Sequence, residues 1–517
     1  MKFLSTFWLK SAVGFYVKCI GSRAGEVSQS ITHAKTYAIV LASLLLPTVP
    51  VAAQQGGSLN LEQVIGLALE QSAVAGQART ARETSYWQFR TYQSNYRPQL
   101  ALQGTLPNYN RVITPVVQPD GTIQFQAVRQ NNSTLGLTLS QNIGPTGAQV
   151  FVSSETRRFD DFNRNIRLYN NQPVNFGLTQ PLGRYNRLRW DRRIEPLRYE
   201  ESQRQFVLER ETIAQRITEL YFDVLLQQVN ADVATKNVQA NEEMLRLGKE
   251  RFQLGRLSQS DLLLLELNVL NSRQALGQAR LNAQNAALSL QTYTGQSAET
   301  LRLTVPTTTP RLTAPAEEAL AQARQNRPET IAFRRRLLQA ESDVALAKGT
   351  TGLQATLVAN LGYVNSARNF WDTYYSPQNQ QQVSLTFALP LVDWGRQKSV
   401  VKTAQVNRQQ AEQTVAQEQR VFEQSVLTQA AQLGTLNEQL ALSAQADTLA
   451  QRRYDIAQAT YKVGRISLTD LNIALAEKDQ ARRAYINALR ACWVAHYRLR
   501  ALTLYDFERQ QPLAAGQ

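Results

Sequence analysis

The chain repeats itself at one long offset, and this constrains its fold more than any other feature. Val174-Asn-Phe-Gly-Leu-Thr-Gln-Pro-Leu182 aligns with Val383-Ser-Leu-Thr-Phe-Ala-Leu-Pro-Leu391, and Arg251-Phe-Gln-Leu-Gly-Arg-Leu-Ser258 aligns with Thr460-Tyr-Lys-Val-Gly-Arg-Ile-Ser467, both pairs lying 209 positions apart. A strand-like segment and a distant helix-like segment therefore share one offset. Solenoid units recur every 20 to 50 residues or so, which leaves two halves of a single structure as the reading.

Each half holds a long helical stretch. No proline falls between Pro196 and Pro306 or between Pro390 and Pro512, and no glycine between Pro196 and Gly248. About 50 uninterrupted helical residues extend roughly 75 Å, far beyond a globular helix. Phe206, Ile213, Ile217, Leu220, Val224, Ala231, Ala234 and Val238 step by sevens, fours and threes, the spacing of a left-handed coiled coil with close helix approach at alanine.

The strand text rules out a plain coiled coil. Val383, Leu385, Phe387, Leu389 and Leu391 alternate with Ser384, Thr386 and Ala388, as Val174, Phe176, Leu178 and Leu182 do with Asn175, Gly177 and Thr179. One face is greasy and the other small or polar, at period two. Leu353 to Leu361 and Pro98 to Leu106 read as weaker strands of the same kind. Segments of about ten residues suit tilted strands crossing an outer membrane with lipid on one side and water on the other. Tyr185 and Trp394, again 209 apart, fall just past the second strand of each half, where interfacial aromatics belong. Two strands per half give four, about eight are needed to close the smallest membrane barrel, and open edges cannot face lipid, so the pattern predicts a homo-oligomer.

Composition narrows function. Lys35, the apolar run Tyr37 to Leu46 and the small residues Val51-Ala-Ala53 read as a signal segment cleaved after Ala53, and Cys19 lacks a lipoprotein context. The apolar run is too short for a spanning helix, which needs about 20 residues. The mature chain then holds one cysteine, Cys492, and one histidine, His496, which removes disulfide frameworks, thiolate sites and histidine chemistry. No phosphate loop or nucleophile elbow is present, so no catalytic residue, cofactor or metal is expected. A mature charge of 51 basic against 40 acidic residues is spread along helical faces of a secreted chain, which argues against nucleic acid as partner.

From Leu59 to Leu504 the chain resembles the TolC-like outer-membrane efflux protein family. The resemblance is carried by Leu178-Thr-Gln-Pro-Leu182 and Phe387-Ala-Leu-Pro-Leu391, and by the tips Arg251-Phe-Gln-Leu-Gly255 with Asp261 and Tyr461-Lys-Val-Gly464 with Asp470. It implies an α+β membrane protein: a trimer whose outer-membrane β-barrel of 12 strands, four per protomer, continues into a long periplasmic α-helical barrel with a closed tip. It implies the exit duct of a tripartite efflux pump or type I secretion system, in contact with outer-membrane lipid, a periplasmic adaptor and an inner-membrane transporter. The rivals, a periplasmic coiled-coil adaptor and a structural cell-envelope protein, lack two hairpins each preceded by a strand pair.

The expected organisation is a leader over 1–53, a first repeat over 54–300, an equatorial linker over 301–315, a second repeat over 316–507 and a short tail over 508–517. The span from Pro98 to Pro181 is some 48 residues longer than its counterpart and contains a hairpin around Gly144-Pro-Thr-Gly147. The expectation favours an extracellular extension over added barrel strands. By the same resemblance Ser260, Asp261, Tyr461 and Asp470 line or latch the periplasmic aperture. The turns Gly255, Arg256, Leu257, Ser258 and Gly464, Arg465, Ile466, Ser467 would dock the adaptor. The family's latch arginine aligns with Ile466, leaving Arg465 displaced by one, and a second acidic position aligns with Ile473. On residues alone, Asp261 and Asp470 also suit helix capping after a turn.

Overall fold

The computed structural model describes residues 59–295, 303–306, 309–310 and 314–513. The leader and its signal segment lie outside these residues. Helices α1 (Leu61–Gln71) and α2 (Ala73–Ser94) come first, followed by strands β1 (Gln99–Thr105), β2 (Tyr109–Val117), β3 (Ile123–Ile143), β4 (Ala148–Asp161) and β5 (Ile166–Leu182). A hairpin of α3 (Arg187–Gln253) and α4 (Gln259–Thr294) follows. Then come α5 (Ala316–Asn326), α6 (Pro328–Thr351), β6 (Gln354–Ala367), β7 (Gln378–Ala388), a second hairpin of α7 (Arg396–Lys462) and α8 (Leu468–Thr503), and the short pair β8 (Tyr505–Asp506) and β9 (Gln511–Pro512).

The two hairpins match in length: α3 and α7 have 67 residues each, α4 and α8 have 36 each. At 1.5 Å per residue the longer arms run about 100 Å. α3 begins at Arg187, ahead of Pro196, and carries that proline inside. Packing holds the helix through this interruption: Phe89 of α2 stacks on Tyr199 at 4.5 Å between ring centroids, and Arg335 of α6 reaches Glu201 at 2.5 Å. Ile213, Ile217, Tyr221, Phe222 and Val224 of α3 are buried against Leu489, Cys492 and Leu499 of α8, with Val64 and Ala68 of α1 and Val426 and Leu433 of α7. Cys492 is thus a small core hydrophobe. Tyr221 ties this core to the chain's crossing segment by donating to the Thr304 carbonyl at 2.6 Å.

The sheet has seven strands, in the order β1-β3-β4-β5-β6-β7, with β2 pairing β3 beside β1. Four strands per chain, as the resemblance implied, is therefore an undercount. β4, not the Pro98–Leu106 segment, pairs with β5, and the residues before it make three more strands. β3 bonds to β4 along its whole lower length, from Gln130↔Asp161 to Ile143↔Ala148. Beyond that level its first half pairs with β2 as a projecting hairpin, Tyr109↔Asn131 to Val117↔Ile123. The favoured extension is thus only part of the insert; the remainder widens the sheet. The reason lies in the Gly144–Gly147 turn, which returns the chain at the helix end, where Asn186 Nδ2 donates to the carbonyls of Gly144 (2.9 Å) and Pro145 (3.0 Å).

Candidate functional site

Register sorts the sheet into two faces. Residues directly opposite one another share a face. Leu100 pairs with Leu139, Leu139 with Val152, Val152 with Phe176 and Phe176 with Leu361; in the neighbouring rows Val150, Leu178, Ala359 and Val383 follow one another, as do Leu357 and Leu385. All lie on one side. The other side carries Ala101, Thr138, Ser153, Asn175, Gly362 and Gln380 in one row. Phe151 is the bulky exception there, and it sits over Gly177, where any Cβ would meet its ring at 2.0 Å. The apolar face is solvent-exposed in the single chain, with Val383 77% and Phe387 69% accessible. On β3 it runs from Leu135 to Ile143, about 27 Å of strand, or about 21 Å of height at a barrel tilt of about 40°.

Tyr185 and Trp394 do not occupy equivalent places. Tyr185 shares a 2.6 Å hydrogen bond with the buried hydroxyl of Ser342 on α6, whereas Trp394 is 97% accessible. Phe370, Trp371 and Tyr374 cluster at the far end of the sheet, with Phe370 against Tyr169 of β5.

The hairpin turns are duplicates at atomic detail. Gly255 and Gly464 have φ of 72° and 78°, the left-handed conformation that ends a helix at little cost only for glycine. The amide of Gly255 donates to Phe252 O (2.9 Å) and that of Arg256 to Arg251 O (2.8 Å); Gly464 donates to Tyr461 O (2.9 Å) and Arg465 to Thr460 O (3.1 Å). Ser258 and Ser467 then cap the return helices, each accepting from the amide three residues on, at Asp261 and Asp470. Their hydroxyls donate to those same carboxylates at 2.7 Å. The capping residues are thus the serines, and each aspartate is the acidic partner inside the first turn.

Between the tips sits a small core of Met244, Leu265, Tyr461 and Leu471, with Leu257 and Ile466 packed against it. Tyr461 is buried there, and Arg251 of the other hairpin lies over its ring at 5.4 Å while donating to the Lys462 carbonyl at 3.1 Å. Burial raises the pKa of the Tyr461 hydroxyl; the Arg251 charge opposes this and the Asp261 carboxylate adds to it. Lys462 reaches Glu243 at 3.2 Å, a second bond between hairpins. Asp261 therefore lies within electrostatic reach of Tyr461 but is bonded to Ser258. Ser260, Arg256 and Arg465 are exposed at the tips, as is Ile473.

Sequence reading missed Arg251 as a partner of Tyr461 and missed an exposed stripe on α7. Leu442, Leu449, Ile456 and Val463 recur every seven residues and are all more than 60% accessible. Leu263, Leu267, Leu270, Leu281 and Leu288 are likewise exposed on α4. The seven-residue step was a usable signal.

No described helix is long and apolar enough to cross a membrane. A one-sided apolar sheet carried on two long, tip-matched helical hairpins defines the class of outer-membrane channel proteins. The outer membrane efflux protein family profile matches residues 147–296 and 319–503, and the chain belongs to that family of the outer membrane. Its fold is similar to the CmeC outer membrane channel of Campylobacter jejuni, with 17% identity, 86% of this chain and 85% of that chain covered, and a TM-score of 0.63. It is also similar to the outer membrane protein VceC of Vibrio cholerae (16%, 86% and 96%, 0.60) and to the open-state MtrE outer membrane channel of Neisseria gonorrhoeae (16%, 86% and 88%, 0.58). No curated protein matches the chain in sequence. The family match begins at Gly147, just before β4, so β1 to β3 lie outside it.

Proposed function

We propose that three copies of this chain form a continuous exit duct, a β-barrel in the outer membrane extended by a periplasmic α-helical barrel built from two repeated halves. In this reading residues 54–300 and 316–507 are the repeats, joined by 301–315. The duct receives substrates from a periplasmic adaptor and inner-membrane transporter, as in a tripartite efflux pump or type I secretion system. The observation that carries the reading is the apolar face running across all strands of the sheet path, which no described segment of the same chain covers.

Its physical logic is burial. An apolar sheet face of this extent is unstable in water and at home in lipid, while both open edges must find partners. The exposed stripes on α4 and α7 suit neighbouring hairpins packed as in a coiled coil. Gly255 to Ser258 and Gly464 to Ser467 form the surface for the adaptor. Ser260, Asp261, Tyr461 and Asp470 surround the aperture, gathered by threefold symmetry, with Tyr185 and Trp394 near the periplasmic membrane interface. Size-exclusion with light scattering in detergent tests this. A trimer that needs detergent supports the duct, and a folded monomer stable without detergent would overturn it.

A further inference from the structure

Building on the trimeric duct just proposed, we infer that β1 of one copy pairs with β7 of the next, so that the barrel closes with six strands from each copy, eighteen in all. The unassigned surface is the β1 edge, Gln99–Thr105, and the occupant it fits is the β7 edge, Gln378–Ala388, of a second copy.

Four observations lead there. β1 and β7 are the two ends of the hydrogen-bonded path, and each interior strand is paired on both sides. Each end strand thus presents a row of unpaired amide and carbonyl groups, which lipid cannot satisfy. The strands alternate in direction along the path, so β1 runs away from the helices and β7 runs back. Joining them keeps the sheet antiparallel throughout, as an even count requires. Leu100 and Leu102 of β1 lie on the face that ends in Val383, Leu385 and Phe387 of β7, so the joint leaves the apolar surface continuous. Finally, the edge that a four-stranded chain would offer, that of β4, is already covered by β3 from Ala148 to Asp161.

The consequence is a wider duct. Barrel diameter grows roughly linearly with strand number, so eighteen strands enclose a lumen about half as wide again as twelve. The added inner wall, Gln99, Ala101, Gln103, Thr134, Gly136, Thr138 and Ser140, carries no charge. The extra width is thus polar and electrically neutral.

Disulfide trapping in native outer membranes tests the seam, with Cys19→Ser as the background, since Cys492 is buried and is the only cysteine among the described residues. Ala101→Cys is combined in turn with Gln382→Cys, Ser384→Cys and Thr386→Cys, all on the polar face, and a parallel set uses Ser153→Cys of β4. The expected result is oxidised dimers and trimers on denaturing gels from one of the Ala101 pairs and none from the Ser153 pairs. Links from Ser153 alone, or from neither set in protein that is trimeric in detergent, overturn the inference. Loss of the trimer itself would instead overturn the duct on which it rests. Projection images of the detergent-solubilised trimer give an independent reading: a barrel of twelve-strand width is incompatible with the seam.

Discussion

Arg251 of the first hairpin lies over the ring of Tyr461 of the second, 5.4 Å from its centroid, and caps the end of the helix that carries it by donating to the Lys462 carbonyl. One guanidinium thereby joins two tips through a ring face and a helix C-terminus, both of which attract cations. The cation between the two tips of one chain is Arg251, while the displaced Arg465 is exposed.

Arg251→Ala is expected to loosen the paired tips by about 1–2 kcal/mol per copy, a partly desolvated cation–π contact and a charged hydrogen bond together. Single-channel conductance in planar bilayers should rise, and should rise again when Tyr461→Ala and Asp261→Ala are added. Arg465→Ala should leave it unchanged. A rise confined to Arg465→Ala would show that the displaced arginine, not Arg251, holds the tip.

On the barrel wall, Leu385 and Thr386 face opposite sides of β7. Leu385→Arg should cost about 2–4 kcal/mol of insertion near the midplane and Thr386→Arg far less. Heat-modifiable trimer recovered from outer membranes measures both, and equal recovery would mean the faces are reversed.

At the tip core, Gly248 and Leu265 are shape partners: a Cβ on Gly248 would meet Leu265 Cδ1 at 2.4 Å. The second hairpin solves the same crossing with Ala457 and Ala474. Leu265→Ala alone should destabilise by about 2–5 kcal/mol. Adding Gly248→Ala to that variant should recover roughly 1 kcal/mol of helix propensity, whereas in the parent it should recover none because Leu265 must move. A double-mutant cycle on thermal unfolding checks the coupling, and additivity would disprove the contact.

His496 is buried beside Arg500, which binds Glu211 (2.8 and 3.1 Å) and Asp506 (2.8 Å). Burial holds its pKa down at about 4, the Arg500 charge acts the same way, and Asp506 opposes. The unfolded chain takes up this proton near pH 6.5 and the folded chain only near 4. Its contribution is therefore intact above pH 6.5 and is lost between 6.5 and 4, about 3 kcal/mol in all. In His496→Phe, the slope of stability against pH over that window should flatten; an unchanged slope would assign it to other groups.

The sequence displayed what depends on neighbours a few residues away. Period two in Val383 to Leu391 and the turn glycines Gly255 and Gly464 are local signals, as are the helix starts after them, although the caps suggested at Asp261 and Asp470 are Ser258 and Ser467. Partner choice is not local. The strand Pro98–Leu106 alternates as a first-half strand should, yet only backbone pairing reveals that Leu100 meets Leu139 while β4 takes the place beside β5. Pro196 removes an amide donor from α3, and the contacts from α2 and α6 that carry the helix through it are tertiary, so no local signal announces them. Arg251 is legible only as part of the repeated turn, since nothing near it in sequence announces a ring 210 residues away.

The equal arms of the hairpins make length itself a condition of the tip contact. One residue inserted in α3 would lower Gly255 by about 1.5 Å and turn its neighbours by about 100° relative to Gly464, unseating Arg251 from Tyr461. A matching insertion in α7 would be needed to level the tips again. The strands beside Gly147 obey no such accounting, since β1 to β3 extend the sheet edge and leave the β4–β5, β5–β6 and β6–β7 pairings in place. The sheet edge can therefore take added length that one hairpin arm cannot take alone.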